Sequence, residues 1–186
     1  MSRAEFGAYV CTALVDAGID AVLSGGSCVS IWTEERYVSN DLDFITSGYE
    51  SNRQIESALL QHGFERPVKQ GRYLTHPDSE YAVEFPRGPL ALGHEEISPN
   101  DAEELETTEG ILKLLSPTDC IKDRLAGYYA WADRQNFEQA VMVACRHGVR
   151  WDNLEKWHKA EGELKGYSEF RAAVERSNSQ AQRGDT

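Results

Sequence analysis

Two aspartates one residue apart are the first side chains in this sequence that could do chemistry together: Asp41 and Asp43, in Asp41-Leu42-Asp43-Phe44. Alternate residues of a β-strand point to one face, so a strand here would place both carboxylates together, with Cα atoms about 6.5–7 Å apart. Two like charges about 4 Å apart repel by about 4 kcal/mol at an effective dielectric of about 20, so we expect a cation beside them. Mg²⁺ suits the position, because it takes one or two carboxylates together with substrate phosphates. An isolated pair of this kind is also typical of a strand with one hydrated face.

A short glycine segment, Gly25-Gly26-Ser27, provides the second signal. It follows a predicted strand over residues 20–24 and opens a predicted helix, where unpaired backbone amides and the helix dipole attract anions. The glycines let a phosphate approach the backbone, and Ser27 adds a hydroxyl donor. Glycine turns between strands and helices are also common for structural reasons, and the sequence contains neither GxxxxGK[ST] nor GxGxxG.

The spacing of these two signals predicts a single site. Fourteen positions separate Ser27 from Asp41, which is enough for one helix and a return to the adjacent strand. The segment resembles the catalytic signature of the DNA polymerase β-like nucleotidyltransferase superfamily, a glycine-serine followed by DxD. The resemblance implies a mixed sheet flanked by helices, a nucleoside triphosphate bound with two Mg²⁺ ions, and transfer of a nucleotidyl group with release of pyrophosphate. It also implies that Gly25, Gly26 and Ser27 hold the triphosphate and that Asp41 and Asp43 hold the metals.

A third carboxylate, supplied by a later strand, is usual in that superfamily. The candidate is Glu84 in Tyr81-Ala82-Val83-Glu84-Phe85. It alternates with the apolar Val83 and Phe85, so it is predicted to face away from the core. Members of the superfamily more often carry aspartate, which is one methylene shorter. A metal-ligand role and an exposed strand glutamate are therefore both open for Glu84.

A second, looser resemblance covers residues 115–126, LSPTDCIKDRLA. This segment looks like the helical part of small prokaryotic nucleotidyltransferases of the toxin–antitoxin type, the AbiEii-like group. The resemblance gives Arg124 the basic position that contacts the triphosphate, which is often lysine, and gives Asp133 the acidic position that follows. Arginine offers phosphate a planar fork where lysine offers a point charge. The alternatives are an interhelical or i,i+4-type ion pair for Arg124 and a helix cap for Asp133.

Three stretches of the chain predict the elements that must position these residues. Residues 1–90 alternate between helical and strand patterns, which indicates an α/β nucleotidyltransferase core. Residues 91–109 are strongly acidic and predict a loop or linker. Residues 110–186 predict a helical C-terminal region, whose first helix starts at Ser116-Pro117 with a cap followed by the first helical position.

Composition narrows the class of protein. The 186 residues carry a formal net charge of −12, and no apolar run reaches the roughly 18 residues that a membrane span needs. Residues 1–15 lack the apolar stretch of a signal peptide. The cysteines are few, scattered and without a CxxC pair, which indicates reduced thiols in the cytoplasm; they are Cys11, Cys28, Cys120 and Cys145.

The negative net charge affects which acceptor is expected. A large RNA requires local lysine and arginine for phosphate contacts, so the charge favours a protein or small-molecule acceptor, or an RNA held by one basic rim. A hairpin-like turn is predicted at Gln70-Gly71. Basic residues around this turn and the following strand could form such a rim: Arg66, Lys69, Arg72 and Arg87. A partner protein or a homodimer stays open.

Taken together, the sequence predicts a Mg²⁺-dependent nucleotidyltransferase that moves a nucleoside monophosphate from a nucleoside triphosphate to a hydroxyl acceptor. The acceptor is RNA, protein or a small molecule, and the context is a toxin–antitoxin or defence system. One alternative is an inactive, antitoxin-like protein of the same fold that binds a nucleotide or a partner. Another is a scaffold that keeps the acidic strand for structural reasons. The intact GGS and DLD segments favour the enzyme.

Overall fold

A mixed β-sheet organises the chain up to residue 114 in the computed structural model, which describes residues 1–67 and 72–184. Within these ranges, the main sheet has six strands in spatial order 3-4-2-1-8-7, and two further strands pair separately. The strands are β1 (Ala21–Ser24), β2 (Asp41–Thr46), β3 (Tyr73–Thr75), β4 (Ala82–Glu84), β5 (Ala91–Leu92), β6 (Glu95–Glu96), β7 (Glu103–Thr107) and β8 (Gly110–Leu114). β1 is antiparallel to β2 but parallel to β8, and β2 is parallel to β4, so the sheet is mixed as predicted.

Helices cover the sheet and form most of the chain after it. They are α1 (Arg3–Val15), α2 (Gly25–Trp32), α3 (Asn52–Leu60), α4 (Pro117–Trp131), α5 (Arg134–Arg146), α6 (Trp151–Glu161) and α7 (Leu164–Gly184), with a short 3-10 helix at Pro99–Asp101. α4 begins as predicted, because the Ser116 hydroxyl accepts from the backbone N–H of Asp119 and Pro117 occupies the first turn. Within the described ranges, no helix combines the length and the apolar character that crossing a bilayer requires.

β2 alternates between the core and the site, as its sequence pattern predicts. Leu42 and Phe44 are fully buried, and Asp41 and Asp43 are partly exposed on the opposite face. Burying a side chain such as leucine or phenylalanine stabilises the fold by about 1.5–3 kcal/mol. A slip of one residue would bury both carboxylates in place of the apolar pair, so burial fixes the register of β2.

Residues 91–109 do not form the expected loop, and the expected helical region begins with a strand. β5 and β6 pair as a small antiparallel hairpin, and β7 and β8 pair antiparallel within the main sheet. β8 lies beside β1 in the interior of the sheet, where Leu112 and Leu114 are fully buried. β7 is an edge strand, so its glutamates are exposed and only Leu105 packs on the core. Its composition is therefore as acidic as that of a loop, which is why a loop was expected.

The C-terminal region after β8 is helical, as predicted. α5 packs against α4 and α7, and Phe137, Val143 and Phe170 are buried among these helices. The mixed sheet flanked by helices, followed by helices, confirms the predicted fold class. The predicted turn at Gln70-Gly71 lies outside the described residues, as does part of the predicted basic rim, Lys69.

Candidate metal and nucleotide site

Three carboxylates meet on the face of the sheet opposite the core. Asp41 and Asp43 come from β2, and Glu84 comes from the neighbouring β4, where it lies directly opposite Asp43. One oxygen from each carboxylate lies within 4.8 Å of the other two. Oxygen ligands on opposite sides of one Mg²⁺ ion are about 4 Å apart, because each bond is about 2.0–2.1 Å long. The cluster therefore has the ligand type and spacing that a divalent cation requires.

The carboxylates of this cluster are partly buried, so their negative charges are only partly solvated. Burial is the main reason that the pKa of Asp43 is raised to about 6, and the charges of Asp41 and Glu84 add to it. Ser39 Oγ donates a hydrogen bond to Asp41 Oδ1 at 2.9 Å, and Arg72 Nε lies 3.1 Å from Glu84 Oε1. The ion pair of Arg72 is weakened by solvent because its side chain is largely exposed. A bound divalent cation would neutralise the cluster more completely than these contacts.

α2 begins directly against these carboxylates, and its first two residues are glycines. Gly25 has φ +65°, in the left-handed region, and a Cβ there would lie 2.5 Å from Asp43 Oδ2. A Cβ on Gly26 would lie 3.0 Å from Ser39 Oγ. Ser24, the N-cap residue, donates its hydroxyl to the carbonyl of Asp43 at 3.2 Å instead of capping the helix. The first turn of α2 therefore places its backbone amides beside the acidic cluster, where they favour an anion.

The hydroxyl of Ser27 is engaged inside the protein. The residue is fully buried, its hydroxyl donates to the backbone carbonyl of Asp41, and it accepts from Arg3 Nη1 at 3.0 Å. A triphosphate contact by this hydroxyl, as the sequence predicts, would require these bonds to break. The backbone N–H of Ser27 lies in the first turn of α2 and is the group better suited to a phosphate.

Arg124, in the middle of α4, and Asp133, the N-cap residue of α5, both contact Asn136. Arg124 Nη2 is 2.7 Å from Asp123 Oδ2, and its Nη1 donates to Asn136 Oδ1 at 3.0 Å. Asp133 caps α5, because its Oδ1 accepts from the N–H of Gln135 at 3.0 Å. Asn136 connects the two residues by also donating to Asp133 Oδ2 at 3.2 Å. The structure therefore contains the helix cap that the sequence left as an alternative for Asp133. The ion pair of Arg124 is with its neighbour in the chain, Asp123, instead of the interhelical or i,i+4 pair that the sequence suggested.

Asp123 is a further acid of the site that the sequence reasoning missed. Its Oδ2 accepts from the backbone N–H of Gly25 at 3.2 Å, so α4 supplies a carboxylate to the N-terminus of α2. Burial and the two other acids dominate the raised pKa of Asp43, and the charge of Asp123 adds to them. The available signal was an acid directly before Arg124, but the contact depends on how α4 packs against α2. Arg3 was missed for a similar reason, since its partners are distant in sequence.

The fold and these residues together define a class of site. A mixed α/β sheet carries three clustered carboxylates on two adjacent strands, and a helix that starts with two glycines brings its amides beside them. Such an arrangement can hold divalent cations and the phosphates of a nucleotide at one place.

Comparison with protein-family models gave no match, and comparison with curated proteins gave none either. Among solved structures, the chain is similar to the antibiotic-resistance factor ANT(2'')-Ia, whose solution structure is described as revealing substrate-regulated conformation dynamics. The two share 14% sequence identity and a TM-score of 0.47, over 92% of this chain and 94% of that one. Similarity at this level carries no conclusion about what this chain binds.

Proposed function

We propose that this chain is a Mg²⁺-dependent nucleotidyltransferase of the DNA polymerase β-like superfamily, which transfers a nucleoside monophosphate from a nucleoside triphosphate to an acceptor hydroxyl. The observation that supports this most strongly is the adjacency of two groups. Three carboxylates have oxygens within 4.8 Å of one another, and the start of α2 lies against them. A hydrated strand face would account for the carboxylates alone. It does not account for a helix start so close that a Cβ on Gly25 would collide with Asp43.

The acidic cluster fits Mg²⁺ in charge, ligand type and spacing. Asp41, Asp43 and Glu84 would hold two ions, which supply charge stabilisation for the attacking and leaving oxygens when bound. The carboxylates are fixed by their register on β2 and β4, so little reorganisation is needed during the reaction. Glu84, or an aspartate of the metal site, would accept the proton of the acceptor hydroxyl.

The triphosphate would bind along the start of α2. The backbone amides of Gly25, Gly26 and Ser27 donate to phosphate oxygens, and the helix dipole adds a favourable potential. Arg124 offers a planar fork to the same phosphates. Its side chain is 18% exposed, so it can reach a ligand, but it must exchange its partner Asp123 for phosphate to do so. Asp133 would act through the amide of Asn136 to hold Arg124 in place.

The acceptor, the context and the location of this activity rest on the sequence. The net charge of −12 favours a protein or small-molecule acceptor, and an RNA would need the basic residues near Glu84, such as Arg72. The toxin–antitoxin or defence context follows from the resemblance of residues 115–126. All four cysteines are free thiols, which supports a reducing compartment such as the cytoplasm. We also propose that a partner protein or a second copy of the chain binds this protein and regulates its activity.

A catalytically inactive, nucleotide-binding or partner-binding protein of the same fold is the second candidate. The contact that favours it is the one between Asp123 and the N–H of Gly25, because an internal carboxylate takes an amide that a phosphate would need. The same carboxylate also pairs with Arg124. If this arrangement does not open, the site cannot receive a triphosphate productively.

Transfer of label from each nucleoside triphosphate, radiolabelled on the α-phosphate, tests the proposal. The purified chain is incubated with Mg²⁺ and a cell extract as the source of acceptors, beside Asp41→Asn, Asp43→Asn and the exposed control Asp152→Asn. We expect transfer by the wild type and the control, and a loss of at least about 100-fold in each site variant, since each removes a metal ligand.

The other outcomes separate the remaining functions. Nucleotide binding that needs Asp41 and Asp43 but gives no transfer would support the inactive protein. If the site variants bind Mg²⁺ and nucleotide as tightly as the wild type, the acidic cluster is structural and the proposed function is wrong.

A further inference from the structure

Arg3 is a charged residue buried behind the site, in the first turn of α1. It is 2% exposed, and its guanidinium donates to both carboxylate oxygens of Glu35, to the hydroxyl of Ser27 and to the carbonyl of Ser39. It also lies over the ring of Tyr81, 4.5 Å from the centroid. Burying a guanidinium is unfavourable unless it is paired and hydrogen-bonded. Here a carboxylate, a hydroxyl, a carbonyl and a ring all engage it.

Two of these partners hold the backbone on either side of Asn40. The carbonyl of Ser39 accepts from Arg3 Nη1 at 2.6 Å. On the other side, the Ser27 hydroxyl accepts from the same Nη1 at 3.0 Å and donates onward to the carbonyl of Asp41. Both peptide groups are therefore tied to one nitrogen atom. Fixing them fixes the direction in which the Asp41 side chain leaves the backbone.

The same segment also connects Asp41 with the strand that carries the third carboxylate. The carbonyl of Asn40 accepts from the N–H of Ala82 at 3.3 Å, and Ala82 lies opposite Asp41 in the sheet. Tyr81, on which Arg3 stacks, is the residue directly before it. Arg3 thus contacts the segments that place two of the acids.

A strained turn anchors the outer side of Arg3. Glu34 and Glu35 have φ values of 53° and 59°, in the left-handed region that residues with a Cβ seldom adopt. Glu35 nevertheless receives Arg3 Nε at 3.0 Å and Nη2 at 2.9 Å, a two-pronged pair that fixes the guanidinium plane. Strain of this kind persists only when surrounding contacts over-determine it.

We propose that Arg3, acting through the hydroxyl of Ser27, is a positioning residue that holds the Asp41 carboxylate ready for a divalent cation. The inference rests on the proposed function, because Asp41 must be a metal ligand. It gives the Ser27 hydroxyl a role in supporting that ligand and leaves the Ser27 amide for phosphate. Lysine cannot replace Arg3, since a single ammonium group lacks the planar fork that reaches Glu35, Ser27 and Ser39 together.

Mn²⁺ binding followed by calorimetry, with ATP binding measured separately in EDTA, tests this inference. The variants are Arg3→Lys, Ser27→Ala and the double variant, with the exposed changes Arg53→Lys and Ser57→Ala as matched controls. Groups that orient a metal ligand change metal affinity by about 10–100-fold when removed, so we expect each single variant to weaken Mn²⁺ binding about tenfold. The double variant should be no weaker than Arg3→Lys, because the hydroxyl acts through the same contact.

Metal-free ATP binding should stay within about twofold of the wild type in these variants, since the amides of α2 are unchanged. Unchanged Mn²⁺ affinity in folded variants, even with a lower melting temperature, would show that Arg3 is only structural and overturn the inference. Weaker ATP binding by Ser27→Ala with normal Mn²⁺ binding would also overturn it. If Arg3→Lys does not fold, the smaller Ser27→Ala change decides.

Asp41→Asn, measured in the same titration, distinguishes a failure of the positioning role of Arg3 from a failure of the proposed function. When it weakens Mn²⁺ binding and the Arg3 and Ser27 variants do not, the positioning role fails and the proposed function stands. When the wild type itself does not bind Mn²⁺, or Asp41→Asn binds it normally, the proposed function fails as well.

Discussion

Replacing Asp43 by asparagine should make the fold more stable while it removes a metal ligand. Burial, followed by the charges of Asp41 and Glu84, raises the pKa of Asp43 from 3.8 to about 6. Each pH unit of difference between the folded and unfolded pKa corresponds to about 1.4 kcal/mol. Keeping Asp43 ionised in the folded chain therefore has an unfavourable free energy on the order of 3 kcal/mol. Partial solvent exposure reduces this, so we expect a gain of about 1–3 kcal/mol in Asp43→Asn.

How the stability of the fold depends on pH is decided by whether the folded or the unfolded chain binds the Asp43 proton more tightly. The folded chain holds the Asp43 proton more tightly than the unfolded chain, because its pKa of about 6 lies above the ordinary value of 3.8. The wild type therefore loses stability from this group as the pH rises from 3.8 to about 6. Above that range the whole unfavourable contribution is present. The advantage of Asp43→Asn should be largest near pH 8, shrink below about pH 6 and disappear near pH 4.

Urea unfolding in EDTA at several pH values between about 4 and 8 measures this, with Asp152→Asn as an exposed control that should behave like the wild type. Adding Mg²⁺ at about pH 8 should then stabilise the wild type and leave Asp43→Asn nearly unchanged, because a ligand of the folded state raises its stability. A variant that is less stable than the wild type by the same amount at every pH would refute the reasoning. It would mean that Asp43 is not electrostatically strained.

Three further outcomes are expected. Mn²⁺ binding to the wild type should weaken about tenfold from pH 7 to pH 5 in calorimetry, since Asp43, with a pKa of about 6, must lose its proton to bind; a flat profile would contradict this. Asp123→Asn should strengthen metal-free ATP binding about threefold to tenfold in a fluorescence titration, because it removes an anion that competes for the N–H of Gly25. Weaker binding would mean that Asp123 mainly orients Arg124. Gly25→Ala should lower the free energy of unfolding by more than about 1 kcal/mol, because the left-handed backbone and the nearby Asp43 oppose a Cβ. Gly148→Ala, where a Cβ would meet nothing within 4 Å, is its control and should be nearly neutral in urea unfolding.

Local patterns were enough to predict much of the fold. A strand was predicted at Asp41-Leu42-Asp43-Phe44, where Leu42 and Phe44 alternate with the acids, and β2 covers Asp41–Thr46. The start of α4 was predicted because Ser116 and Pro117 act within one turn of the chain. In both cases the physical cause lies within a few residues, so the sequence pattern contains it.

Features that depend on packing between distant segments could not be predicted in the same way. The edge strand β7 has a loop-like composition, and its identity as a strand depends on pairing with β8. The engagement of the Ser27 hydroxyl requires Arg3, which lies 24 positions away, and the contact of Asp123 with Gly25 spans 98 positions. A motif indicates which residue types occur together. It does not indicate which of their donors are already used inside the protein.

The parallel pairing of β8 with β1 has a consequence for how the chain folds during synthesis. A nascent chain that has emerged to residue 90 contains β1 and β2, but it lacks the strand that covers the other side of β1. Leu23 would be left at a bare sheet edge, without Leu114 as its neighbour. We therefore expect a fragment of residues 1–90 to aggregate, and the nascent core to close only after residue 114 has left the ribosome.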